Sequence, residues 1–183
     1  YCGFSAIEAG KTMGLFPYGK ENPDIPNLFD QTSIYPLSNR NVVVPTYPSG
    51  AWINTTIFES LNDNRASDVT KLQNRRDLAY AVQTQSQAEV VKLIRKAVKM
   101  TGRKNVVISG GYGLNCVANY HYLDALKDEG IEIYCEPVSN DAGTAMGAAL
   151  MFWHGIEDVM TIQKLDTVYL GPQYCYTNDE ILA

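Results

Sequence analysis

The apolar positions Leu78, Val82, Val90, Leu93, Ile94, Ala97 and Val98 include three- and four-residue spacings. That is the period of one face of an α-helix, and it predicts an amphipathic helix starting near Asp68. Thr101-Gly102 supplies a stop, with Lys96, Lys99, Arg103 and Lys104 near the carbonyl end, where cations are favourable. Asn105-Val-Val-Ile-Ser109 is then a short continuous apolar run, read as a buried strand that leads into Gly110-Gly111. A second helix is expected over 115–128, ending at Gly130, a second strand over 131–135, and a third helix after Asp141 running to about Trp153. This alternation predicts an α/β fold with parallel strands covered by helices and joined by right-handed crossovers. Ligands of such sheets sit beyond the carboxyl ends of the strands, so Gly110-Gly111 and Ser139-Asn140-Asp141 are expected to line one crevice.

The first third of the chain has a different character. Pro17, Pro23, Pro26, Pro36, Pro45 and Pro48 exclude long helices there. Residues 5–15 read as a short helix, and Val42-Val43-Val44 as a short strand. Four segments follow: 1–19, a short helix and Gly-rich turn; 20–65, a Pro-rich irregular excursion; 66–160, the helix-and-strand lobe; and 161–183, a weakly periodic tail.

Composition narrows the function classes. The chain has 183 residues, 45% hydrophobic and 19% charged, which suits one soluble domain with a real core. A formal net charge of −5 argues against broad electrostatic binding of nucleic acid. No apolar run approaches the length of a membrane span. The four cysteines are scattered and only two histidines are present, so neither a disulfide scaffold nor a self-contained zinc site is expected. The chain starts Tyr1-Cys2-Gly3, with neither a methionine nor a basic signal region, and is expected to be a segment of a longer cytoplasmic polypeptide.

Three stretches could carry chemistry. In Ser109-Gly-Gly-Tyr-Gly-Leu-Asn115 the glycines let backbone approach a ligand, and the helix start beyond them suits phosphate or sugar oxygens. The same pattern also describes a plain strand-to-helix turn with Asn115 as N-cap. Asn140-Asp141-Ala-Gly-Thr-Ala-Met-Gly-Ala-Ala-Leu150 places Gly143 and Gly147 on one helix face. Asp141 fits either an N-cap or a metal-binding carboxylate. In Glu8-Ala-Gly-Lys-Thr-Met-Gly-Leu-Phe-Pro-Tyr-Gly19, Lys11 suits either a phosphate or solvent. His121 and His154 are read as partly buried or capping side chains.

Together these stretches resemble the O-carbamoyltransferases of nodulation and antibiotic tailoring. Residues 8–19 resemble that family's E-x-GK-x-MGLAPYG, with Phe16 where alanine is usual. Arg76-Asp-Leu-Ala-Tyr-Ala-Val-Gln83 resembles R-x-DLAAAVQ, and residues 101–119 resemble TGxxNLxLAGGVALNCVAN. Residues 141–150 resemble DAGTALGAAL, and Leu170-Gly-Pro-Gln-Tyr174 resembles LGPxY. The resemblance spans the chain apart from 20–65, and its specificity lies in the ordered set of motifs.

The resemblance implies the C-terminal part of a transfer domain, a partial lobe of the actin, sugar-kinase and heat-shock ATPase fold. The preceding lobe, with a histidine-rich metal motif, and a following YrdC-like domain would lie outside this chain. It implies carbamoyl adenylate made from carbamoyl phosphate and ATP, with the carbamoyl group passed to a hydroxyl of a small-molecule or sugar acceptor. Gly110, Gly111 and Asn115 would contact the adenylate, Gly10 and Lys11 would lie near the nucleotide, and Asp141 would bind a divalent metal, iron or magnesium. No side chain stands out as the base for the acceptor hydroxyl. Gly111-Tyr112-Gly113 replaces the family's Gly-Val-Ala, so the tyrosine ring either stacks on the ligand or fills space. Two rival readings are a non-catalytic nucleotide-binding module that changes conformation with ATP, and a tRNA threonylcarbamoyltransferase relative. The net charge and the form of the 141–150 motif weigh against the second.

Overall fold

The apolar stripe beginning at Leu78 contributes to both hydrophobic clusters of the first 143 residues. In a computed structural model it lies on α2 (Asp68–Thr101), which Gly102 ends in the left-handed conformation at φ +68. The structure describes residues 2, 4, 8–33, 35–46, 50–53, 68–157, 171, 172, 175–177, 180 and 181. The expected helix over 5–15 is seen as α1 (Ala9–Leu15), which tightens into a 3-10 turn at Phe16–Tyr18, where Pro17 enters. Residues 5–7 of that expectation, 54–67 of the excursion and its junction, and the 161–170 part of the tail lie outside the described residues.

The strand expected near Val42 is β1 (Val43–Thr46), paired antiparallel with β2 (Gly50–Ile53). Beyond α2, β3 (Asn105–Ile108) and β4 (Glu132–Cys135) are adjacent and parallel, with Val106 opposite Ile133. α3 (Cys116–Leu126) joins them, followed by a 3-10 turn, Lys127–Glu129, that Gly130 closes at φ +64. α4 (Ala142–Glu157) starts where expected and runs one turn further.

Packing explains which face of each element turned inward. Val91 and Ile94 of α2 meet Ala118, Tyr122 and Leu126 of α3 and Ile131, with Val106, Ile108 and Ile133 of the strands against them. Tyr122 and Leu126 are wholly buried. The strands contribute alternate residues, because side chains of a strand point to opposite faces. Val107 and Tyr134, the intervening positions, are 66% and 56% exposed. The sheet was expected to be covered on both faces; among the described residues these two positions remain open.

The described part of 20–65 folds back onto α2. Ile25, Leu28 and Val42 pack on Leu78. Asp77, 2% exposed, accepts hydrogen bonds from the Lys20 backbone N–H (3.0 Å), Asn22 Nδ2 (3.2 Å) and Gln73 Nε2 (2.7 Å). Gln85 Oε1 accepts from the Leu28 N–H at 2.8 Å. Asp77→Ala would orphan three donors, and stability is expected to fall by at least about 2 kcal/mol, readable as a lower chemical unfolding midpoint. A midpoint equal to wild type would show that water replaces the carboxylate without cost.

The chain divides into two units, Tyr1–Gly143 and Thr144–Ala183. No described helix is long and apolar enough to cross a membrane.

Candidate functional site

β3 ends at Ile108 and the chain turns through Gly110, held at φ +90, into a 3-10 turn at Gly111–Leu114. Asn115 then starts α3, and its Oδ1 accepts from the Ala118 N–H at 3.0 Å. The N-cap reading of Asn115 therefore holds, and the residue does more. Gln83 on α2 exchanges a reciprocal pair of hydrogen bonds with it: Gln83 Nε2 donates to Asn115 Oδ1 (3.2 Å) and Asn115 Nδ2 donates to Gln83 Oε1 (3.0 Å). One hydrogen of Asn115 Nδ2 is left outside these bonds.

This turn, α1 and α2 enclose a cavity of about 580 Å³. α1 contributes Ala9, Gly10, Thr12 and Met13, and α2 contributes Ala79, Val82, Gln83 and Ser86. Gly111, Tyr112, Leu114 and Asn115 form the remaining wall. The volume is in the range of small-molecule sites, and the lining has the usual make-up of apolar walls with a few placed polar groups. Gly10 and Gly111 are uncrowded: a Cβ added to either meets nothing within 4 Å beyond its chain neighbours. Gly10, Gly111 and Asn115, singled out from two distant motifs, thus come together here.

Three other candidate residues do not line the cavity. Gly110 sits one residue before the lining, where its positive φ makes the turn. Lys11 is next to Gly10 on α1, but consecutive helix residues point about 100° apart, and its ammonium pairs with Glu8 with its side chain 61% exposed. Asp141 belongs to the turn after β4. There Asn140 Oδ1 accepts from the Ala142 N–H (3.1 Å) and its carbonyl from the Gly143 N–H (2.9 Å). The two strand-end turns are neighbours, as expected. Glu136 N–H donates to Ile108 C=O, and a Cβ on Gly113 would lie 3.3 Å from Ser139 Oγ. Even so, 139–141 lie outside the cavity lining. Among the described residues no three His, Cys, Asp or Glu side chains gather to hold a metal.

Sequence reasoning missed the hydroxyl chain that ties the cavity wall to α3. Tyr122 Oη donates to Tyr112 Oη (3.3 Å), which donates to Ser86 Oγ (2.8 Å), which donates to the Gln83 carbonyl (3.0 Å). Burial, then its bond to Tyr112, pushes the Tyr122 phenol upward, so it stays a neutral donor at physiological pH. Nothing in the local pattern marks Ser86 or Tyr122, because their partners come from different elements.

The family profile described as Carbamoyltransferase N-terminus matches residues 1–150. The chain belongs to the carbamoyltransferase family. An uncharacterized protein of Synechocystis sp. is 32% identical over 99% of this chain and 30% of its own length. The nodulation protein NolNO of Sinorhizobium fredii is 31% identical over 94% of this chain and 24% of its own length. A tRNA N6-adenosine threonylcarbamoyltransferase of Bordetella pertussis is 35% identical over 48% of this chain and 26% of its own length. The carbamoyltransferase segment thus spans no more than 30% of these relatives.

Proposed function

We propose that this carbamoyltransferase segment supplies the adenylate-binding wall of an ATP-dependent O-carbamoyltransferase. The observation that carries the reading is the meeting of Gly10, Gly111 and Asn115 around one cavity of suitable size. The glycines admit backbone to the ligand, and the Gln83–Asn115 amide pair fixes the polar edge on which a ribose or base would be oriented. In the proposed reaction an acceptor hydroxyl oxygen attacks the carbamoyl carbon of carbamoyl adenylate. The bond from that carbon to the phosphate oxygen breaks, AMP leaves, and the hydroxyl proton is lost. The products are the O-carbamoyl compound, AMP and a proton.

Carbamoyl phosphate and ATP are the proposed sources of the adenylate, and a hydroxyl-bearing small molecule or sugar is the acceptor. The setting is cytoplasmic, with the remaining lobes of the full-length protein completing the site. Asp141 is proposed as one carboxylate of a divalent metal site, iron or magnesium. The described residues do not form that site alone, so no step is assigned to a metal here. Lys11 and Gly110 are proposed near the nucleotide rather than in direct contact with it. The match to a tRNA-modifying enzyme covers 48% of the chain and that to the nodulation protein NolNO 94%, which weighs against the tRNA-modifying reading.

The full-length protein is expected to release AMP only when carbamoyl phosphate, ATP and a hydroxyl acceptor are all present. Carbamoyl transfer that proceeds equally well without ATP would contradict the adenylate route.

A further inference from the structure

Among the described residues, Tyr112 is the one large aromatic side chain of the cavity lining. The residue is 43% exposed, so it is not sealed into the core. Its far end is not free to swing. The hydroxyl accepts from Tyr122 on α3 and donates to Ser86 on α2, and Tyr122 is wholly buried. The ring is therefore tied at its Cα by the turn and at its oxygen by two helices. A phenol on a flexible loop loses torsional freedom when a ligand stacks on it; this one has lost it already. Planar heteroaromatic rings stack on such faces with little regard for their hydrogen-bonding pattern. The same lining includes the apolar Met13, Ala79, Val82 and Leu114, which suit a base more than a phosphate.

We propose that Tyr112, braced by Ser86 and Tyr122, is the stacking wall for the purine ring of the bound nucleotide. The inference rests on the adenylate reading of this cavity and adds where the base lies. The ring does the stacking and the hydroxyl only holds the ring in place, so Tyr112 acts on nucleotide affinity rather than on the transfer step. The two contributions separate on substitution.

The experiment measures ATP affinity by calorimetry in the full-length wild type, Tyr112→Phe and Tyr112→Val. It also measures the fluorescence of bound 1,N6-etheno-ATP, which stacking on a tyrosine ring quenches. Tyr112→Phe is expected to bind ATP within about threefold of wild type. Tyr112→Val is expected to bind at least tenfold more weakly, about 1.4 kcal/mol, with the quenching relieved. Equal affinity in all three proteins, or quenching unchanged in Tyr112→Val, would overturn the stacking role while leaving the adenylate site standing. Tyr112→Phe as weak as Tyr112→Val would overturn it too, because the hydroxyl chain would then be the important part. A wild-type protein that binds no ATP would overturn both readings together.

Discussion

Gly19→Ala is expected to destabilise the protein by about 3 kcal/mol, at the upper end of ordinary overpacking. A Cβ at Gly19 would lie 2.1 Å from the Arg76 carbonyl oxygen, 2.6 Å from its carbon and 2.8 Å from Tyr80 Cβ. Two of those atoms are backbone of a long helix and cannot rotate away. The backbone angle at Gly19 is φ −95, so conformational preference is not the issue. The glycine is there because the turn after Tyr18 presses on α2, next to the stacked rings of Phe16 and Tyr80 and the Asp77 hydrogen bonds to the following residues. Gly14→Ala is the paired control: nothing lies within 4 Å of its added Cβ, and in a helix the change is expected to stabilise by roughly 0.5–1 kcal/mol. Thermal unfolding of the two variants checks this contrast. A Gly19→Ala midpoint equal to that of wild type would mean that the loop does not press on α2 in solution.

What was legible in the sequence follows from what local pattern can encode. The period change between 98 and 105 located α2 and β3, and Gly102 and Gly130 marked the stops where left-handed backbone was needed. Parallel pairing of β3 and β4 followed from a helix lying between two short apolar runs. The hairpin partner β2 was not legible, because Gly50-Ala51-Trp52-Ile53 is too short and mixed to announce a strand. Of the site, Gly111 and Asn115 were visible because paired glycines and a capping residue between a strand and a helix mark a tight turn whose backbone lies open to a ligand, whereas Gly10 entered only through the family resemblance. Gln83 was visible only as the last residue of a resembling motif. Ser86 and Tyr122 were not, since a polar residue on a helix carries no record of which hydroxyl it will meet. The sheet is less covered than expected: Val107 and Tyr134 are apolar enough for burial, and their position on the outward face decides otherwise among the described residues.

Asp141→Asn in the full-length protein is expected to lower bound divalent metal at least tenfold and carbamoyl transfer by about a hundredfold. The change removes a charge and a hard oxygen donor. Asparagine serves as well as aspartate at a helix start, and Asn140 already supplies an acceptor to the Ala142 N–H, so stability is expected to change by less than about 1 kcal/mol. The three readouts, metal content, transfer rate and unfolding midpoint, separate a ligand from a cap. Wild-type metal content and rate in Asp141→Asn would leave the residue a helix-start residue only.

The proposed function stands or falls on whether the cavity between α1, α2 and the Gly111–Leu114 turn holds the nucleotide, and Gly111→Val tests this most directly. Gly111 lines the cavity, and a Cβ added there meets nothing within 4 Å beyond its chain neighbours, so a larger side chain has room at the cavity wall. ATP affinity of the folded full-length variant, measured by calorimetry, is expected to fall at least tenfold, about 1.4 kcal/mol. Unchanged ATP affinity in a variant as stable as wild type would contradict nucleotide binding in this cavity and leave the glycine turn a purely structural connection.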